Sequence, residues 1–462
     1  YGAGGNNTLR GGGGVDIAYY APSATSIEVN MIADVDGFHV ATSGTTGKDK
    51  LINIDEIHGS NYKDKFTGDS TTTGYIFRGG LNDDTFYSSE GVNVHDGGAD
   101  NDLFIITSKD HGQDSLVGGS GSDTVDFSGV TDLVTPTSGL IVTLNGNEEV
   151  ISTLNGIASH KLQGIENIIG TQHNDTIRGD ANNNVLEGNG GDDYFIGSGG
   201  FDVIKGSIAS QNVLSYENLT VADEGIVVDL TANDYQVSSD GKGSKDKIEN
   251  IDTIIGSVNA DVFRGKDGEG NTFIGGEGND WFYASKGDDF YTGHANSIDT
   301  VDYSYIKAND GTNIDLDLDI NDSTKVITGV GTHTFKDING LVGGDGNDTL
   351  RGNSGANTLI GGGGDDTLLG YGGKDYIDGG AYSNGNFVSF AYTSQNITLD
   401  LSNTDEQQYT TNNDDLLTIK NIQNITGGAG NDNIKGNNFS NILNGGYGAD
   451  TLTGGAGNNT LN

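Results

Sequence analysis

Residues 343–378 read GGDGNDTLR GNSGANTLI GGGGDDTLL GYGGKDYID, four nonapeptides with no remainder. Each opens on glycine (Gly343, Gly352, Gly361, Gly370) and carries glycine again at position three or four. Position six is Asp348, Asn357, Asp366 and Asp375, and position eight is Leu350, Leu359, Leu368 and Ile377. Positions seven to nine alternate out, in, out, which suits a very short strand with one buried side chain. Positions one to six must reverse the chain, and glycine supplies the backbone conformations such turns need. The carboxylate at the end of each turn has no apolar partner; what it lacks is a cation.

Two nonapeptides make one full coil of strand, turn, strand, turn. Residues eighteen apart then stack on one edge, Asp348 over Asp366 and Asn357 over Asp375. Stacked carboxylates repel by about 1 kcal/mol at ~4 Å even in bulk water, and by more where water is excluded. A hard divalent cation with oxygen ligands reverses that sign. Calcium tolerates the irregular oxygen environment that carboxylates and turn carbonyls provide, whereas magnesium demands a tighter octahedron. A disordered Gly/Asn/Asp linker would not keep an apolar residue at every ninth position.

The same pattern explains the composition. The chain has 462 residues, 77 glycines, two prolines, no cysteine, 33% hydrophobic residues and a formal net charge of −43. So few apolar residues cannot fill one large globular core, but they can fill a thin core many coils long. The acidity argues against nucleic acid and anionic membrane surfaces as partners. No apolar run is long enough to span a membrane, so no direct membrane insertion is expected. Without cysteine, metal is the expected staple, and calcium turns fill where free calcium is high, on the extracellular side. The sequence begins and ends inside a repeat, as expected of a segment of a longer protein.

A longer period contains the short one. Tyr20, Phe127, Tyr216, Tyr303 and Phe390 each end an opening strand, and an alternating stretch follows: 26–32, 140–144, 225–230, 313–320 and 396–401. These are expected to be half-buried strands longer than the nonapeptide ones. After a polar loop come apolar residues three apart: Leu51/Ile54/Ile57, Leu162/Ile165/Ile168, Ile248/Ile251/Ile254, Phe335/Ile338/Leu341 and Ile419/Ile422/Ile425. Because each leads into a glycine turn, short strands with corners are expected there and not a helix. The nonapeptides then return. The whole is expected to be all-β, one continuous parallel β-roll or β-helix solenoid over 1–462, with repeat blocks near 1–117, 118–206, 207–293, 294–380 and 381–462.

The nonapeptides resemble the RTX, or hemolysin-type calcium-binding, repeat family. The inserts resemble those of large bacterial RTX adhesins and RTX-type S-layer proteins. The resemblance implies a parallel β-roll, calcium held by turn aspartates and glycine carbonyls, and type I secretion with folding outside the cell. The position-six carboxylates expected to hold calcium are Asp84, Asp102, Asp123, Asp175, Asp193, Asp202, Asp261, Asp280, Asp289, Asp348, Asp366, Asp375, Asp432 and Asp450. Asparagine at Asn184, Asn357 and Asn441 brings no charge, so a weaker site is expected at those turns, and GDSTTTGYIF (68–77) is expected to form an empty one.

Catalytic constellations are missing from the sequence: it has no HExxH and no GxSxG. Its histidines (His39, His58, His95, His111, His160, His173, His294, His333) show no ligand-like spacing. A periodic carboxylate array makes no unique acid–base pair, so no enzyme activity is expected in this segment. Trp281 and Tyr283 flank inward Phe282 and should point outward, as a contact surface or sugar platform unless an insert covers them. The reading is a calcium-binding extracellular structural segment of a bacterial surface protein, an adhesin stalk, S-layer or related assembly. Its partners would be multiple calcium ions, with copies of itself, neighbouring surface proteins or glycans as further candidates. The alternative is the calcium-dependent secretion and folding module of an RTX enzyme or toxin; five tandem blocks with no other domain favour the former.

Overall fold

Positions seven to nine of the central nonapeptides form the strands Thr349–Arg351, Thr358–Ile360 and Thr367–Leu369, each with its middle side chain buried and its flanks half-buried. The fourth extends to Lys374–Asp378. Thr349 lies opposite Thr367 and Thr358 opposite Tyr376, in parallel, so one coil is eighteen residues as the period requires. The structure, a computed structural model, describes residues 1–462 apart from 3, 34–37, 45–46, 69–73, 109–111, 132, 134–138, 307–312, 319–322, 328–329, 381–384, 404–406 and 410–415, with the backbone alone at 323–327 and 408. Among the described residues every regular element is a strand. The fold is the all-β, predominantly parallel one that the repeats demand.

The chain divides into two compact units, Tyr1–Asn218 with Lys242–Asp252, and Leu219–Gly241 with Thr253–Asn462. In the first, one parallel stack runs through Lys65–Thr67, Thr85–Tyr87, Leu103–Ile105, Thr124–Asp126, Asn167–Ile169, Val185–Glu187, Val203–Lys205 and Lys247–Glu249. A second includes Glu56–His58, Ile76–Gly80, Val94–Ala99 and Ser115–Ser120. The two face each other across a core one side chain deep, with Phe66 and Phe77 5.5 Å apart between ring centres. Along the first stack Phe66, Phe86 and Phe104 lie ring on ring at 5.0 and 5.1 Å. In the second unit, parallel stacks run through Val262–Arg264, Trp281–Tyr283, Thr300–Asp302 and Gly340–Val342, and through Thr349–Arg351, Thr367–Leu369, Phe387–Ser389 and Asn424–Thr426. Their inward residues, such as Phe263, Phe282, Leu350 and Leu368, are fully buried. Each such side chain contributes about 1.5–3 kcal/mol.

The inserts depart from the parallel rule. Ile27–Asn30, His39–Ser43 and Gly47–Ile52 form an antiparallel run, as do Leu140–Thr143, Val150–Leu154 and Ile157–Gln163. The alternating strands are shorter than expected: Ile27–Asn30 and Leu140–Thr143 have four residues, Val227–Asp229, Asp315–Asp317 and Thr398–Asp400 three. Each pairs in parallel with a three-residue nonapeptide strand, which caps the length of the ladder. Burial still alternates beyond the paired residues, as at Ile397, Leu399 and Leu401.

The residues three apart behave as corners: Leu162 is next to last in one strand, Ile165 sits buried in the bend and Ile168 is the centre of Asn167–Ile169. Residues 69–73 of the turn expected to be empty at 68–77 lie outside the described residues, as does much of the loop 402–415.

Candidate metal centres

Glycine at position one owes its place to the carboxylate of its own turn. A Cβ built on Gly361 would lie 2.3 Å from Asp366 Oδ2, and one on Gly370 2.2 Å from Asp375 Oδ2. The turn thus leaves a cradle into which the position-six side chain folds back. At position four, Gly364 has φ +99°, and a Cβ there would sit 2.1 Å from the Gly346 carbonyl oxygen. Any other residue would force adjacent turns apart, so turn carbonyls and carboxylates stay closely packed.

Along the first edge the carboxylates form a ladder. Asp366 Oδ1 accepts the Asp348 backbone N–H at 2.8 Å, and Asp193, Asp280 and Asp450 accept those of Asp175, Asp261 and Asp432 at 3.0, 2.9 and 2.9 Å. In the first block the ladder continues through Asp64, Asp84, Asp102 and Asp123. The leading member of each block is closed by protein donors. Asp348 Oδ1 accepts the N–H of insert residue Ile314 and Oδ2 that of Gly344, at 2.8 and 2.7 Å. Asp175, Asp261 and Asp432 are closed alike, from Leu140 and Thr171, Ile226 and Ser257, and Ile397 and Gly428.

The following members are not closed. The Oδ2 atoms of Asp84, Asp102, Asp123, Asp193, Asp280 and Asp366 are buried with no hydrogen-bond partner among the described residues. A buried acceptor left so costs about 1–3 kcal/mol, more when ionised. Burial, then the neighbouring carboxylates, push Asp84 and Asp280 up to about 8 and Asp193 to about 7. Burial likewise raises Asp102, Asp175 and Asp348 to about 7, and Asp123, Asp261 and Asp366 to about 6.

On the second edge Asp202, Asp289 and Asp375 accept the backbone N–H of Asn184, Asn271 and Asn357 at 2.9, 2.9 and 3.0 Å. The asparagines are satisfied at both ends of their amides. Asn184 Oδ1 accepts the Asp180 N–H and its Nδ2 donates to the Glu166 carbonyl, both at 2.8 Å. Asn441 does the same with Asn437 and Gln423, at 3.0 and 2.6 Å. An amide can meet a backbone carbonyl that a carboxylate would repel.

Orphaned, buried oxygens beside packed turn carbonyls fit a hard divalent cation, and calcium above all. No cluster of three or more His, Cys, Asp or Glu side chains among the described residues could cage a metal, so an ion here draws on one or two carboxylates and on backbone carbonyls.

Sequence reasoning missed several members of these ladders. Asp299 accepts the Asp280 N–H at 2.8 Å and is fully buried, but it lies nineteen residues on, where the insert breaks the period. Asp246 extends the edge beyond Asp202 from forty-four residues away. The histidines read as scattered are not all so: His95 and His160 converge on Asp114, and His333 on Asp289. The available signal was that Asp49, His160, Asp246 and His333 each sit two residues before the first of the apolar residues spaced by three. Trp281 and Tyr283 do point outward but are half-buried. The Trp281 indole N–H donates to Asp302 at 3.0 Å, and Tyr305 meets Tyr283 edge-on at 4.7 Å, so insert residues cover part of this face.

Among the described residues no helix is long and apolar enough to cross a membrane. The repeat family described as the RTX calcium-binding nonapeptide repeat (four copies) matches residues 1–20, 76–104, 111–134, 169–204, 267–297, 341–368, 351–381 and 426–461. No curated protein matches the chain.

Proposed function

Starting from a chain that carries RTX calcium-binding nonapeptide repeats at intervals along its length, we propose that it is a calcium-folded structural segment of a bacterial surface protein, working outside the cell. The carrying observation is the row of buried, unpartnered carboxylate oxygens at Asp84, Asp102, Asp123, Asp193, Asp280 and Asp366. Such a row is costly until cations fill it, and it recurs along the chain instead of marking one site. Asp84, Asp102, Asp123, Asp193, Asp280 and Asp366 would hold the ions, with the closed leading carboxylates fixing the turns above them. Calcium, when bound, supplies the positive charge that lets these carboxylates stay ionised while buried. The protein's own part is to aim the oxygens, through Oδ1–backbone bonds, and to hold the turns close through glycine.

Coupling of folding to calcium restricts the folded state to places where calcium is plentiful, which supports the extracellular assignment. The recurrence of the same carboxylate turn from block to block, in place of one distinct site, supports a spacer or lattice role. Circular dichroism tests the coupling: chelator should leave the chain largely disordered, and added calcium should restore the β signal. A β signal that persists in excess chelator overturns it. Antibody labelling of intact source cells tests the surface assignment, and labelling that needs permeabilised cells overturns it.

A further inference from the structure

On the second edge, the residue one coil beyond the carboxylate changes from block to block. Asp246 follows Asp202 and Leu417 follows Asp375, whereas His333 follows Asp289 and His160 follows Asp114. The two histidines bring a different chemistry to their turns.

Asp289 is buried, and both its oxygens are taken. Oδ1 accepts the backbone N–H and the side-chain amide of Asn271 at 2.9 and 2.7 Å. Oδ2 accepts the hydroxyls of Ser285 and Tyr291, both at 2.9 Å. His333 Nε2 stands 3.4 Å from the same Oδ2, and Nδ1 meets the Tyr303 hydroxyl at 2.6 Å. The ring packs between Tyr291 and Tyr303, with ring centres 5.6 and 5.5 Å away, and Nε2 makes no hydrogen bond among the described residues. The imidazole therefore occupies the space beside Asp289 Oδ2 that a cation would need.

Asp114 is closed by other residues to the same end. Oδ1 accepts the backbone and side-chain N–H of Asn93 at 2.8 and 3.0 Å, and Oδ2 accepts the Ser88 hydroxyl at 2.6 Å. The Nε2 atoms of His95 and His160 lie 3.6 and 3.8 Å from Oδ2, and Ser88 also meets His160 Nε2 at 3.2 Å. All of these side chains are buried. His95 takes an inward strand position held by Phe77 in the coil before and Leu116 in the coil after, so the core gives up an apolar residue to reach Asp114. Burial alone would raise Asp114, but His95, His160 and Ser88 hold it below the usual carboxylate range. Asp280, also buried, is pushed the other way.

We propose that histidine takes the cation's place at these two turns: His333 with Ser285 and Tyr291 closes Asp289, and His95 with His160 and Ser88 closes Asp114, without calcium. This rests on the reading that calcium fills the first-edge turns, and it removes Asp289 from the set expected to bind. One closure falls in each unit, Asp114 in the first and Asp289 in the second.

Crystals of the full chain grown in calcium test the proposal by anomalous scattering. Ions are expected within about 2.3–2.6 Å of carboxylate oxygens at Asp193, Asp280 and Asp366, and none at Asp289 or Asp114. Calcium on Asp289 or Asp114, with the first edge filled, overturns the histidine closure and leaves the proposed function intact. A first edge without calcium overturns the proposed function, and with it the contrast drawn here. In solution, His333→Asp places a second carboxylate against Asp289 and is expected to raise the bound calcium by one ion per chain. An unchanged count in a folded variant counts against the closure.

Discussion

Asp366 accepts the backbone N–H of Asp348 through Oδ1 at 2.8 Å, while its Oδ2, equally buried, meets no donor among the described residues. One oxygen holds two coils in register and the other is left for an ion. Asp348 stacked on Asp366 brings two charges to this edge, where Asn357 stacked on Asp375 brings one. Asp366→Ala is therefore expected to lower calcium affinity and stability more than Asp375→Ala. In calcium at a hundredfold Kd, losing one site costs about 2.7 kcal/mol. In chelator the two variants should differ less, since Asp366→Ala removes the unsatisfied Oδ2 but also strands the Asp348 N–H. Calcium titration and urea unfolding of both variants decide it; equal losses would show that turn carbonyls set the affinity.

The raised carboxylates give calcium-free chain an inverted pH dependence. Burial pushes Asp84 and Asp280 up to about 8 in the fold, against 3.8 ordinarily. The folded state then binds more protons than the unfolded one between those values, so stability falls as pH rises. The contribution is full below about pH 4 and is lost through about pH 8. In chelator the β signal should be greater at pH 5 than at pH 8. Saturating calcium should flatten or reverse the trend, because ion binding needs deprotonated carboxylates. A β signal that climbs with pH in chelator would contradict this.

Gly361 faces Asp366 so closely that an added methyl must displace the carboxylate. Gly361→Ala is expected to destabilise the calcium-loaded fold by about 1–3 kcal/mol and to raise the calcium midpoint. Gly13→Ala, at a position with open space around it, should do little. Denaturant unfolding in calcium compares the two, and similar losses would remove the steric account.

Trp281 is the chain's one tryptophan, and it follows Asp280 directly. Its indole is half-buried and bonded to Asp302. Calcium-driven folding should shift its emission to the blue, and Asp280→Asn should move that transition to higher calcium. Emission that stays constant while the β signal returns would mean that this face does not order with the ions.

The ninefold period was enough to place every inward residue of the central coils. A side chain at position eight of a two-nonapeptide coil has one direction to go, and Leu350, Leu359, Leu368 and Ile377 went there. Glycine at positions one and four was legible for the same local reason, since backbone conformation and close approach belong to the turn itself. What each carboxylate meets was not legible, because its partners come from another coil. Asp348 is closed by Ile314 from an insert, whereas Asp366, with the same local sequence pattern, keeps an orphaned oxygen. His333 reaches Asp289 from forty-four residues away, a distance fixed by an insert whose length follows no period. Periodicity dictates the local geometry of each turn; the inserts, by breaking it, leave to the tertiary structure the choice of which turns need an ion.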